Sequence, residues 1–369
     1  MKKIILTGGG TAGHVTPNIA LLPELKKRGY EIHYIGSKDG IEKDLITALG
    51  IPYYEIATGK LRRYFSFKNF TDIFKIAFGF IKSFFVLLKT RPVFLFSKGG
   101  FVSVPPCISC KLLHIPFFTH ECDFSLGLAT KINSKFATKV LLSYEQTKEH
   151  INKSILSKVI VTGNPVRPIF YNTDKSIAKE FINFNTKEKK PILFVMGGSL
   201  GARQINELVY ENIEWLTDYF YVIHQTGSNN VSDKIFDDKV LSSYKQYKFI
   251  YDELPHVIDY ADVILSRAGA NSIFECAVLN KPMVLIPLSG NGTRGDQVDN
   301  ADFFASKGAA IVLKGEYACS KSLVNALESM LDINKRKLFA SACKSLLPKT
   351  RSAYLIASII FDDYIKGLL

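Results

Sequence analysis

Gly8-Gly9-Gly10-Thr11-Ala12-Gly13-His14 follows the apolar run Ile4–Thr7 and precedes a stretch with Ile19, Leu22 and Leu25 at helical spacing. Strand, glycine loop, helix is the opening unit of a doubly wound α/β domain. The helix is expected to stop at Lys26-Lys27-Arg28, with cations in its last turn and Gly29 just beyond, before a second strand at Ile32–Ile35. A similar unit recurs half a chain later. Ile192–Met196 reads as a strand and Gly197-Gly198-Ser199-Leu200-Gly201 as its loop, and Ile205, Leu208, Val209 and Ile213 form one helical face. Two such units in 369 residues predict two α/β domains, each with its own parallel sheet. The join is expected at Gly163-Asn164-Pro165-Val166-Arg167-Pro168, where two prolines and a glycine interrupt the pattern, dividing the chain into residues 1–163 and 164–345.

Composition narrows the class. Hydrophobic residues make up 47% and charged residues 22%, as in a globular protein. Met1-Lys2-Lys3-Ile4 runs straight into the first strand, so no signal peptide is read. Of the six cysteines, Cys107 and Cys110 make a C-x-x-C, but no second pair completes a zinc site. Inert thiols in a reducing compartment are the better reading. Residues 1–163 hold 23 Lys/Arg against 11 Asp/Glu, a balance of +12, out of +13 for the whole chain. That asymmetry suits a domain facing a polyanion, whether a membrane surface, a nucleic acid or a phosphorylated substrate.

Residues 60–91 carry eight Lys/Arg, eight Phe and the single acid Asp72. Lys68, Lys75, Lys82 and Lys89 recur every seven residues and share a helical stripe, while Phe70, Phe74, Phe78, Ile81, Phe85 and Leu88 define the opposite, apolar side. The lysines interrupt the run too often for a spanning helix. A core-facing helix with a solvated lysine face is one reading. A basic amphipathic segment with aromatic anchors, lying on an anionic bilayer, is the other and is favoured by the number of phenylalanines. No recognised nucleic-acid module accompanies the basic residues, so no nucleic-acid partner is expected.

The first glycine loop matches G-x-G-x-x-G, which brings backbone N–H groups close to an anion but does not by itself separate a dinucleotide from a sugar phosphate or a plain turn. It is not a Walker loop, because no Lys-Ser/Thr follows. The strand after it ends Ile35-Gly36-Ser37-Lys38, with Asp39 slightly late for the ribose acid of an NAD site. Asp262 to Glu275 reads as a strand, a small-residue turn and a helix start. Ser272 and Glu275 have capping-box spacing, so Glu275 either caps a helix or accepts hydrogen bonds from ribose hydroxyls.

Several motifs in order resemble the MurG family of glycosyltransferases. They are Gly9–His14, Lys98-Gly99-Gly100-Phe101-Val102-Ser103, His120-Glu121, Gly163–Arg167, Gly197–Ala202, Arg267–Glu275 and Asp296-Gln297, and together they cover essentially the whole chain. The resemblance implies a GT-B architecture: two Rossmann-like, doubly wound domains with a cleft between them, and a final helix, within residues 346–369, returning to the N-terminal domain. It implies an inverting transfer of N-acetylglucosamine from UDP-N-acetylglucosamine to an undecaprenyl-linked muramoyl-pentapeptide acceptor. The work would be done peripherally at the cytoplasmic face of a bacterial membrane, without a cofactor, alongside cell-wall synthesis proteins.

Carried over residue by residue, Glu275 takes the ribose hydroxyls and the backbone at Ile250 reads the uracil edge. Ser199, Arg167 and the Ala270-Asn271-Ser272 turn hold the diphosphate, Gly269 beside them is counted as substrate-binding, and Gln297 with Asp296 meets the sugar. Thr11, Ala12, Gly13 and Asp123 line the N-terminal side. Two departures stand out: Ala12 where glycine is common, tolerable away from positive φ, and Asp123 where asparagine is common, which turns an amide donor into an acceptor. Thr130 replaces a frequent asparagine nearby. Inversion needs a base at the attacking hydroxyl and positive potential at the departing diphosphate. His14 after the glycine loop is one candidate base and Glu121 the rival, with His120 orienting its neighbours. No D-x-D or similar cluster ends a strand, so no catalytic metal is expected. Other UDP-sugar enzymes on this fold, including an epimerase or a diacylglycerol glycosyltransferase, remain open, as do an NAD(P)-dependent oxidoreductase and a membrane scaffold.

Overall fold

The computed structural model describes residues 2–59, 67–184, 189–198, 201–227, 236–290 and 293–360. The chain forms two compact units, Met1–Arg167 with Pro348–Leu369, and Pro168–Leu347. In the first, the strands β1 (Lys2–Thr7), β2 (Tyr30–Ser37), β3 (Tyr53–Ile56), β4 (Phe94–Ser97), β5 (Phe117–Glu121), β6 (Lys139–Leu142) and β7 (Val159–Val161) make one sheet in the order β3-β2-β1-β4-β5-β6-β7. In the second, β8 (Ile192–Met196), β9 (Tyr221–Gln225), β10 (Tyr244–Tyr247), β11 (Val263–Ser266), β12 (Met283–Leu285) and β13 (Ala310–Val312) run in the order β10-β9-β8-β11-β12-β13. The central strands pair in parallel with their neighbours, β1 with β2 and β4, and β8 with β9 and β11. Both orders reverse direction beside the first strand, which opens a crevice at the carboxyl ends of β1 and β4 and again of β8 and β11. Two such domains are the components of the GT-B architecture.

The central strands are apolar on both faces because helices cover both sides. Ile4 and Leu6 join Leu21, Leu22 and Leu25 on one face, and Ile5 joins Leu95, Cys107 and Leu87 on the other. The helix Ser352–Ser358 lies in the first unit, where Ala353, Ile356, Ile359 and Ile360 enter the same core as Ile4. Arg28 ties it down, stacking 5.2 Å over Tyr354 and donating to Ser358 Oγ at 3.0 Å. Residues 361–369, part of the expected returning helix, lie outside the described residues.

In the second unit the face expected to run from Ile205 to Ile213 is split. Helix Arg203–Glu211 ends and Ile213–Tyr219 begins at Asn212, whose side-chain amide donates to the Leu208 carbonyl at 2.7 Å. A side chain that takes over a backbone acceptor competes with helix continuation. All four apolar residues still reach one core.

Helix Phe67–Thr90 packs on the core, but by its small-residue side rather than by its apolar stripe. Its buried side carries Asp72, Gly79, Ser83 and Leu87, and a Cβ on Gly79 would lie 2.1 Å from the Ala57 carbonyl oxygen. The apolar stripe faces outward: Phe74, Phe78, Ile81, Phe85 and Leu88 are exposed, Phe78 by 65% and Phe85 by 63%, while Phe80 and Phe84 at its flank are half-buried. Lys75, Lys82 and Lys89 are exposed as well. At 100° per residue they border the apolar stripe rather than opposing it, and the small residues take the opposite side. Amphipathic spacing alone does not say which face packs; here Gly79 and Ser83 allow close approach to the chain beneath. Among the described residues no helix is long and apolar enough to cross a membrane. Residues 60–66 of the basic segment, Tyr64 included, lie outside the described residues, as do the side chains of Lys68 and Phe70.

Candidate active site

At the β1/β4 crevice the glycine loop is built around a carboxylate. Glu42, fully buried, accepts from Gly10 N–H at 3.2 Å and from Ser37 N–H at 3.1 Å, and a Cβ on Gly9 would sit 2.3 Å from its Oε1. Gly10 has φ +86°, and a Cβ there would meet Phe101 at 2.5 Å. The Glu42 carboxyl already takes the Gly10 N–H that a dinucleotide's phosphate would approach, which argues against the oxidoreductase reading. Neither sequence spacing nor strand alternation marked Glu42, because it reaches the loop from the helix Ile41–Thr47.

Thr11, Ala12, Gly13 and His14 form one tight turn, with His14 N–H donating to the Thr11 carbonyl at 3.1 Å. Ala12 does not adopt a positive φ, so its methyl is sterically allowed. The His14 ring rests on the Gly99-Gly100 backbone: a Cβ on Gly100 would lie 2.8 Å from Cδ2. His14 Nδ1 is 3.2 Å from the Lys98 carbonyl oxygen. A carbonyl only accepts, so the proton sits on Nδ1 and the lone pair on Nε2.

Glu121 turns to the loop that follows it. Its Oε1 accepts from Cys122 N–H at 3.1 Å and Asp123 N–H at 3.3 Å, and its Oε2 from Gly127 N–H at 2.9 Å. Both oxygens of this buried carboxylate hold the 122–127 loop, whereas the rival base candidate His14 meets the Lys98 carbonyl through Nδ1. Glu121, Cys122 and Asp123 do bring ligand-type atoms within 4.8 Å of one another. Of the three, Glu121 is also engaged with the loop backbone. Asp123 is largely buried. His120 lies deeper, between Lys98 Nζ and the Gly163 carbonyl.

In the second unit the β8/β11 crevice holds a cavity of about 370 Å³ lined by Met196, Gly197, Gly198, Gly201, Ala202, Arg203, Ser266, Arg267, Gly269, Ser272, Leu288 and Gln297. Its size lies within the range of small-molecule pockets. Gly197 is required by packing, since a Cβ would lie 2.2 Å from Ala202 N. Gly269 is not: its φ of −67° and ψ of 131° suit any residue, and nothing lies within 4 Å of its Cβ position. It is the N-cap of helix Ala270–Val278 and, as a glycine, has no side chain of its own to cap the first turn. The missing methyl therefore leaves space in front of a helix N-terminus, where N–H groups and dipole favour an anion.

Family models for the glycosyltransferase family 28 N-terminal and C-terminal domains match residues 4–142 and 192–358. The chain is 49% identical over 86% of its length to the UDP-N-acetylglucosamine–N-acetylmuramyl-(pentapeptide) pyrophosphoryl-undecaprenol N-acetylglucosamine transferase of Treponema denticola, covering 85% of that protein. It is 45% identical to the transferase of the same name from Clostridium tetani, over 91% of each chain. The chain belongs to the MurG family of glycosyltransferases. The crystal structure of Acinetobacter baumannii MurG shares the fold, with a TM-score of 0.76 at 22% identity, covering 98% of this chain and all of that one.

Within this transferase the residues singled out by motif divide by unit. Gly269, Ser272 and Gln297 line the cavity. Gln297 Oε1 accepts from Leu288 N–H at 2.9 Å, so its amide also shapes the rim. Ala270 and Asn271 continue the first turn of the helix behind Gly269. Glu275 sits one turn further along, buried, and is no capping-box partner: the helix begins at Ala270, two residues before Ser272, which corrects the capping reading. The Ile250 N–H donates to Gln225 Oε1 at 2.9 Å, so that backbone group is satisfied inside the protein. Arg167 ends the first unit and does not line this cavity. Ser199 lies outside the described residues. Asp296 is within 3.4 Å of Arg294. The cavity adds two cations not assigned from sequence. Arg203 pairs with Glu207 at 2.6 Å, and Arg267 donates to the Ile286 carbonyl and Gln204 at 3.0 Å each. Their positions at the carboxyl edge of β8 and β11 were the available signal.

Proposed function

We propose that this transferase moves N-acetylglucosamine from UDP-N-acetylglucosamine to the 4-hydroxyl of an undecaprenyl-pyrophosphoryl-muramoyl-pentapeptide, with inversion at the anomeric carbon. The observation that carries the reading is the open helix N-terminus at Gly269, inside a chain of this family. The helix start and the nearby Arg203 and Arg267 supply positive potential for a diphosphate. Glu275 is assigned the ribose hydroxyls, Gln297 with Asp296 the sugar, and Ser199 and Arg167 the diphosphate. Thr11, Ala12, Gly13 and Asp123 are assigned to the N-terminal side of the bound substrates. Asp123 can only accept when ionised, so its partner is a hydroxyl or an amide N–H.

The reaction is one displacement. The acceptor oxygen attacks the anomeric carbon as the bond to the β-phosphate oxygen breaks, the hydroxyl proton passes to His14 Nε2, and UDP leaves with the bonding pair. Titration with UDP-N-acetylglucosamine, UDP-glucose and UDP-N-acetylgalactosamine tests the donor. Micromolar binding is expected for the first alone, and equal binding of all three rejects the assignment. Gly269→Ala is expected to weaken UDP binding about 10-fold by filling ligand space, while thermal stability changes by less than about 0.5 kcal/mol, as for a residue that touches nothing. Unchanged binding would remove the diphosphate from that helix end.

The outward phenylalanines of helix Phe67–Thr90 and the bordering lysines support a peripheral seat on an anionic membrane. Aromatic rings supply the apolar contact, and each lysine near the surface adds about 1 kcal/mol at moderate salt. Replacing Lys82 and Lys89 by Glu should lower partitioning onto phosphatidylglycerol vesicles by roughly 100-fold, measured by flotation at low salt. Retention of binding by that variant places the membrane contact elsewhere.

A further inference from the structure

Lys98 follows β4 and is 1% exposed, yet its ammonium is held by an imidazole and a side-chain amide rather than by a carboxylate. Its Nζ donates to His120 Nδ1 and, at 3.4 Å, to Asn164 Oδ1. A lysine enclosed this completely is uncommon, and its desolvation must be repaid by a fixed set of partners. Burial pushes its ammonium down from the ordinary lysine range, and the negative potential of Cys122, Glu121 and Asp123 opposes that.

The partners define the protons around it. His120 Nε2 lies 3.0 Å from the Gly163 carbonyl oxygen, so it carries the hydrogen, and Nδ1 accepts from Lys98. Burial and the adjacent Lys98 charge hold this imidazole neutral, well below the usual histidine range. His14 is arranged the other way, since its Nδ1 donates to the Lys98 carbonyl. The main chain of Lys98 is tied to the end of β1 by its N–H, 2.9 Å from the Thr7 carbonyl oxygen. The His14 ring lies on the next two residues, Gly99 and Gly100, at φ +78° and +74°. One residue therefore sets two histidines in opposite tautomers, with its carbonyl toward one and its ammonium toward the other.

We propose that Lys98 is a positioning residue for the base: its buried ammonium, anchored on His120 and Asn164, fixes the carbonyl that imposes the Nδ1–H tautomer on His14. The inference rests on the reading of His14 as the base. The tautomer matters because a ring protonated on Nε2 presents a hydrogen where the acceptor's proton must go. The same error in a Ser-His-Asp triad costs about 10⁴-fold in turnover. His120 is the second member of the device, holding the ammonium against the Gly163 carbonyl.

The test uses the full chain labelled with ¹⁵N-histidine, whose ring nitrogen shifts report the tautomer directly. The His14 resonances are assigned by their loss in His14→Gln. The wild-type protein should show His14 protonated on Nδ1 and His120 on Nε2. Lys98→Met should move His14 toward the Nε2–H form and lower kcat at least 10-fold, with KM for UDP-N-acetylglucosamine unchanged within two-fold. Lys98→Met leaves a buried histidine nitrogen unsatisfied and can unfold the protein, so Lys98→Met/His120→Phe replaces both partners by apolar groups. A merely structural Lys98 predicts that the double variant recovers stability and kcat together; that result overturns the proposal. Recovered melting temperature with kcat still depressed and the His14 tautomer still shifted supports it. An Nε2–H tautomer at His14 in the wild-type protein overturns it without any variant. Full turnover in His14→Ala would instead reject the base assignment, which separates the two failures.

Discussion

His14→Ala is expected to lower turnover by about 10²–10⁴-fold, the range of a positioned general base, while the Kd for UDP-N-acetylglucosamine changes by less than about two-fold. The asymmetry follows from placement. His14 belongs to the first unit, with its Nδ1 on the Lys98 carbonyl, whereas the cavity assigned to the donor lies wholly in the second unit. Losing the imidazole removes the acceptor of the hydroxyl proton and none of the residues lining that cavity. Single-turnover transfer to a soluble lipid acceptor analogue measures the first quantity, and calorimetric titration the second. Turnover within three-fold of wild type would strike His14 as base. A parallel loss of donor affinity would recast it as a binding residue. Glu121→Gln provides the contrast: with both carboxylate oxygens on backbone N–H groups, its loss should loosen the 122–127 loop and lower the melting temperature.

Glu275→Ala should weaken UDP binding by about 10–100-fold, the worth of a charge-assisted hydrogen bond pair, with the fold intact. The helix it sits on starts at Ala270 under a glycine cap, so the carboxylate is not needed for capping. A ribose-specific role can be isolated with UDP and its 2′,3′-dideoxy analogue. The wild-type protein should lose affinity for the analogue, and Glu275→Ala should bind both equally. If the variant still prefers UDP by the wild-type margin, Glu275 does not reach the ribose.

Much of the site was legible because it is local. Glycine loops after β1 and β8, and the small-residue turn after β11, occupy the carboxyl ends of central strands, where ligand crevices of this fold open. Residues acting across the fold were not. Glu42 reaches the Gly10 loop from 32 positions away, Lys98 reaches His14 from 84, and His120 meets Gly163 from 43. Ser272 and Glu275 show the opposite error, a local spacing that fits a motif while the helix starts two residues earlier.

The sequence by itself determined two parallel α/β domains, their glycine loops, the family, and a basic, phenylalanine-rich segment in the first half. Strand and helix periods are written into neighbouring residues, and family motifs survive as ordered short strings. Only the tertiary structure decided which side of helix Phe67–Thr90 faces out, which carboxylate fills the first glycine loop, and that Glu121 braces a loop. Those outcomes depend on which surfaces meet: Gly79 and Ser83 let that helix approach the chain by its small side, so Phe74, Phe78 and Phe85 are left exposed. Periodicity defines two faces of such a helix, and close packing chooses between them.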